Sequence, residues 1–166
     1  QNFINIRFNG KLWIEGYWQN EKYFIDIADE IKKDFLIKNI YKEQGIKYIN
    51  KILHTESVAI HFRNYTSNSL DTNNLDNNYY NKAISYINSK VLKPNFFIFT
   101  NNPSKQQLDY IKQINNVTII ETNSEITDMY LMSNCKYLII ANSSFSWWAA
   151  WLASNPNKIV IAPQKQ

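Results

Sequence analysis

The 166-residue sequence is short of cysteine, glycine and histidine, and each shortage excludes a class of function. Cys135 is the only cysteine, so no disulfide can close within the chain, and nothing marks it as a stapled secreted domain. A lone thiol of this kind is expected as core filler. The three glycines, Gly10, Gly16 and Gly45, all precede the region where the polar motifs gather. Neither a P-loop nor a dinucleotide-binding fingerprint can be built, since both need glycine where backbone meets phosphate. No G-x-S-x-G elbow is present either. His54 and His61 are the only histidines and no Cys/His cluster exists, which excludes a structural zinc site. No apolar run approaches the roughly 20 residues of a membrane span. The opening "QNFINIRF" has neither a charged-then-apolar leader nor a cleavage pattern, so no export signal is expected. Basic residues are scattered, with no block longer than Lys32-Lys33. The net charge of +4 therefore makes no nucleic-acid track, although it suits an anionic small molecule.

What is abundant is apolar and aromatic surface, 45% and 15% of residues, enough for one domain with a real core. From Ser57 onward strands and helices alternate. "SVAIHF", "NFFIFT", "VTIIE", "KYLIIAN" and "KIVIAP" read as strands. Between them, "DNNYYNKAISYINSKV", "PSKQQLDYIKQI", "SEITDMYLMSNC" and "SFSWWAAWLASN" carry helical stripes. The strands are continuous apolar runs, as expected when both faces of a parallel sheet are covered. The fold class is therefore α/β, a Rossmann-like parallel sheet flanked by helices. Residues 1–56 lead into this domain and residues 57–166 form it, the whole expected as one compact unit. In the leading part, "KLWIEGYW" predicts a strand ending at Gly16. "NEKYFIDIADEIKKDF" predicts a helix with Tyr23, Phe24, Ile27 and Ile31 on one side. "EQGIKYINKIL" predicts another, with Ile46, Ile49, Ile52 and Leu53 inward. The stretch from Thr66 to Asn78 is polar and predicts a mobile loop.

The first four of these strands each end in a polar cluster: His61-Arg63-Asn64, Thr100-Asn101-Asn102, Glu121-Thr122-Asn123 and Asn142-Ser143-Ser144. In a parallel sheet these ends share one edge, where ligands of open α/β sheets bind. Asn142, Ser143 or Ser144 falls at the N-cap of the last helix, whose free N–H groups and positive dipole end suit phosphate. His61 and Arg63, two apart on a strand, face the same way. Arg63 offers a bidentate grip on phosphate, and His61 a hydrogen bond to a base or a phosphate oxygen. The aromatics of "SFSWWAAWLA" read as core, with Trp147, nearest the rim, also a candidate platform for a sugar or base. No metal-binding carboxylate pair lies on the rim, so no metal and no cofactor are expected.

The segment from Asp128 to Pro163, "DMYLMSNCKYLIIANSSFSWWAAWLASNPNKIVIAP", resembles the most distinctive part of glycosyltransferase family 11, the α-1,2-fucosyltransferases. "GYWQNEKYF", "VAIHFRN", "YYNKAISYI" and "FFIFTNN" fall in the family's order and spacing. The resemblance implies a GT-B-type enzyme whose C-terminal domain holds GDP-fucose. It implies inverting, metal-independent transfer of L-fucose to the 2-hydroxyl of a terminal galactose in a bacterial surface glycan. Carried over by position, Arg63 resembles the arginine on the donor's β-phosphate and His61 the histidine near the guanosine. Asp128 resembles the carboxylate on the guanine edge, and Ser143 and Ser144 the hydroxyls beside the diphosphate. Asn64, Thr100, Asn101, Asn142 and Trp147 complete the expected donor-binding set. The implied partners are GDP-fucose and a galactose-containing acceptor, with no nucleic acid. The implied location is the cytoplasm, free or peripherally at the inner face of the membrane.

Three departures qualify the match. Asn64 stands where the family usually has a second arginine, and Thr66 where it has an aspartate. Thr100, Asn101 and Asn102 replace acidic residues. If Asn64 reaches the phosphate, exchanging a charged for a neutral hydrogen bond costs roughly 1–2 kcal/mol, or about 5–30-fold in affinity. The family's N-terminal part has no counterpart before Gln1, so a donor-domain piece of a longer protein is expected, with no general base assigned. Two other readings stay open: a nucleotide-sugar-binding module or degenerate remnant without turnover, and a structural interaction domain.

Overall fold

A computed structural model describes residues 9–11, 13, 15, 16, 19–64 and 75–164. Among these residues five parallel strands form one sheet: β1 (Ser57–Phe62), β2 (Asn95–Thr100), β3 (Val117–Ile119), β4 (Tyr137–Ile139) and β5 (Val160–Ile161). Their spatial order is β3-β2-β1-β4-β5. The chain thus winds outward from β1 to β3, then returns to the other side of β1 to lay down β4 and β5. The expected α/β sheet is present, with β5 reduced to two residues of the "KIVIAP" run.

Among the described residues, seven α-helices accompany it: α1 (Ala28–Asp34), α2 (Asn39–Gln44), α3 (Ile46–Leu53), α4 (Asn77–Lys90), α5 (Lys105–Ile111), α6 (Glu125–Ser133) and α7 (Ser144–Leu152). Alternation along β1 explains its unbroken apolar sequence. Val58, Ile60 and Phe62 join a core with Tyr80, Ala83 and Ile87 of α4 and Ile111 of α5. Ala59 joins the opposite core with Ile49 and Ile52 of α3, Leu131 and Met132 of α6, and Ala149 and Ala150 of α7. Every β1 residue is buried, because both faces of the central strand are covered. Cys135 lies in the second core, as expected of filler. Tyr79 of α4 places its hydroxyl between the carbonyls of Ile140 (2.7 Å) and Ile161 (3.0 Å), bracing the ends of β4 and β5.

The leading part differs from expectation. The predicted helix from Asn20 resolves into two 3-10 turns, Glu21–Tyr23 and Ile25–Ile27, before α1, and none of these residues is buried. Phe24 breaks the helix with a non-helical φ of −146°, and Tyr23 and Ile27 stay exposed. In α3 Ile49 and Ile52 are inward as predicted, but Tyr48 takes the third inward place. Ile46 and Leu53 remain 66% and 51% exposed, since at about 100° per residue they fall together beside the arc that Tyr48, Ile52 and Ile49 bury. Lys11, Trp13, Glu15 and Gly16 are in no strand, and the rest of that predicted strand lies outside the described residues. So does most of the predicted loop, Thr66 included, while Asn77 and Asn78 already belong to α4, capped by Asp76.

Candidate functional site

The reversal of strand order falls between β1 and β4, and a cleft of about 580 Å³ opens at the carboxyl ends there. His61 and Arg63 reach it from the end of β1, Thr100 and Asn101 from β2, and Asp128 from α6. Asn142, Ser143 and Ser144 enter from the link between β4 and α7. Eight of the ten residues expected in a donor site therefore line one cleft.

His61 is 5% exposed, and its Nδ1 has no hydrogen-bond partner among the described residues. Burial, aided by the charge of Arg63, lowers its pKa to about 4, so the imidazole is neutral at physiological pH. Its carbonyl accepts from the Tyr80 hydroxyl at 3.0 Å, fixing the strand end beneath it. Thr100 Oγ1 is likewise buried and unpartnered among the described residues. Polar atoms orphaned in the lining of a cleft are those a ligand would satisfy.

Opposite them stands the start of α7. Ser143 is the N-cap, with extended backbone, and its carbonyl accepts from the Trp147 N–H at 3.1 Å. Its hydroxyl makes no capping bond, unlike Ser104 and Ser124, which cap α5 and α6. At the far end, Lys158 Nζ donates to the carbonyls of Ala153 (2.7 Å) and Ala150 (2.8 Å). Asp128 presents a partly buried carboxylate to the cleft, where Glu125 is exposed. Burial raises its pKa, the 2.6 Å bond donated by Thr122 opposes that, and the nearby charge of Glu125 adds to it.

Two expected residues lie elsewhere. Asn64 does not line the cleft: its amide is held between Asn101 and Gln107. Trp147 packs with the core and meets Phe24 and Trp148 edge to face at 6.3 and 5.1 Å. Two helical residues turn about 200°, so with Phe145 in the cleft Trp147 must face away. Asn101 lines the cleft, but both ends of its amide are engaged by Asn64. Conversely Gln19, Phe99, Glu125 and Phe145 line the cleft unforeseen. Glu125 had a signal, since it sits three residues before Asp128 and thus on the same helical face. Among the described residues no three His, Cys, Asp or Glu side chains gather as a metal site, and no helix is long and apolar enough to cross a membrane.

The family model described as "Glycosyl transferase family 11" matches residues 2–166. The chain belongs to glycosyltransferase family 11. An Escherichia coli member, alpha-1,2-colitosyltransferase, is 36% identical over 169 residues, covering 96% of this chain and 58% of that protein. The O-antigen biosynthesis glycosyltransferase WbnK, also of Escherichia coli, is 35% identical over 132 residues, covering 76% and 42%. The chain spans about half the length of these curated relatives. Among solved structures, POFUT1 in complex with GDP-fucose shares the fold with a TM-score of 0.56 at 14% identity, over 78% of this chain and 47% of that one. The α/β sheet of this chain thus shares the GT-B-like fold of that structure.

Proposed function

We propose that this chain is the donor-binding, C-terminal part of an inverting, metal-independent glycosyltransferase that uses GDP-fucose. It would transfer L-fucose to the 2-hydroxyl of a terminal galactose during bacterial surface-glycan synthesis, in the cytoplasm or at the inner face of its membrane. The convergence of Arg63, the start of α7 and Asp128 in one cleft carries this reading. A diphosphate bound there would meet a guanidinium on one side and helix N–H groups with the Ser143 and Ser144 hydroxyls on the other. As the sugar–oxygen bond breaks, charge develops on the β-phosphate, and these donors stabilise it where it appears. Asp128 matches the N1–H and amino donors of guanine, and neutral His61 has an open Nδ1 for the nucleoside. Thr100 and Asn142 complete the lining. The relatives' names, a colitosyltransferase and an O-antigen glycosyltransferase, support transfer of a deoxysugar to a surface glycan.

Calorimetric titration with GDP, GDP-fucose, GDP-colitose and ADP tests this. Tight binding of the guanine compounds, weak binding of ADP and loss of GDP binding in Arg63→Ala are expected. Indifference to the base, or an Arg63→Ala variant that binds as the parent does, would defeat the assignment. Donor consumption with a galactose-terminated acceptor separates transfer from binding alone.

A further inference from the structure

Main-chain pairing between β1 and β2 ends at Phe62 and Thr100. Two residues on, the ladder resumes through a side chain. Asn101 Oδ1 accepts from the Asn64 N–H at 3.0 Å, and Asn101 Nδ2 donates to the Asn64 carbonyl at 3.0 Å. The Asn64 side chain returns the contact: its Nδ2 donates to the Asn101 carbonyl and to Gln107 Oε1, each at 2.8 Å. Its Oδ1 accepts from Gln107 Nε2 at 3.1 Å. The Asn102 carbonyl stands 3.4 Å from the same Nδ2, with Asn102 at a φ of 45°, a left-handed conformation asparagine tolerates. Gln107 is itself anchored, its N–H donating to the cap Ser104 Oγ at 3.1 Å. All four polar groups of Asn64, main chain and side chain, are thus used within the protein.

We propose that Asn64, held by Asn101 and Gln107, is a positioning residue for Arg63. The inference rests on the donor-site reading above. β1 fixes the backbone before Arg63, and the amide clasp fixes it immediately after. An arginine on a loose segment must lose freedom when it grips an anion, and that loss reduces affinity. Here the backbone has lost it already on folding. The consequence reverses the expectation for this position: arginine at 64 removes the amide that bonds the Asn101 carbonyl and Gln107, the side-chain half of the clasp. Asn64→Arg therefore weakens donor binding where charge alone would strengthen it.

A double-mutant cycle read by titration of GDP into the 166-residue chain tests the coupling. Asn64→Ala should lower GDP affinity about tenfold in the parent and change it by less than about twofold once Arg63 is alanine. Guanosine, which lacks the diphosphate, should bind Asn64→Ala as it binds the parent. Gln107→Ala, which leaves Asn64 and its backbone bonds in place, should give a smaller loss with the same silence, and serves if Asn64→Ala does not fold. Additive losses in the cycle, an equal loss for guanosine, or tighter GDP binding by Asn64→Arg would overturn the inference. Failure of the donor-site reading is recognised separately, because then the parent would not bind GDP or Arg63→Ala would bind it undiminished.

Discussion

His61 and Phe145 meet across the sheet's switch point, their rings 5.5 Å apart between centroids and inclined at 49°. One comes from the end of β1 and the other from the first turn of α7, so this contact joins the two sides of the cleft. It also keeps the imidazole dry. A dry imidazole resists protonation, and its pKa falls to about 4.

The pH dependence of stability follows. The unfolded chain protonates His61 near pH 6.5, whereas the folded chain holds it neutral down to about 4. The stability this group contributes is complete above pH 6.5 and is lost as pH falls through that window, up to about 3 kcal/mol. Thermal melts from pH 7.5 to 4 should show the loss, and His61→Gln should flatten it. An equally steep profile in the variant would assign the loss to other groups.

Asp128→Asn separates recognition from folding. Burial already disfavours the carboxylate, and asparagine still accepts from Thr122, so the melting temperature should hold or rise. GDP affinity should fall about 10- to 100-fold, because an amide N–H₂ opposes guanine's donors. Inosine diphosphate, with one donor fewer, should be penalised less.

The tryptophans of α7 should matter for stability rather than binding. Trp148 is stacked by Phe24 at 5.4 Å on a 21° tilt and by Phe35 at 5.0 Å on a 20° tilt. Trp148→Ala should cost about 2–4 kcal/mol and speed proteolysis between Glu21 and Phe35. Trp147→Ala should likewise lower the melting temperature with GDP affinity unchanged. A selective loss of GDP binding would restore Trp147 to the donor site.

If Arg63 and α7 balance the diphosphate, GDP affinity should be the same within about twofold in magnesium and in excess chelator. A collapse of binding in chelator would show that a cation completes the site.

Residues in regular strands were the most legible. β1 declared itself because a strand covered on both faces needs no alternation, and the polar ends of β1, β2 and β4 located the cleft. The fate of Asn64 was not legible, since its partners Asn101 and Gln107 are 37 and 43 residues away. Glu121-Thr122-Asn123 looked like lining, yet Thr122 supports Asp128 and the Glu121 N–H donates to the Tyr48 hydroxyl. The aromatic run of α7 gave burial but not direction, which depended on Phe24 and Phe35 arriving from the leading part.

Lys158 changes what α7 offers to an incoming anion. A helix of nine residues is about 14 Å long, short enough for its negative pole to be felt at the opposite tip. An ammonium seated on the last carbonyls cancels that pole, and α7 acts on its surroundings less as a dipole than as a single fractional positive charge.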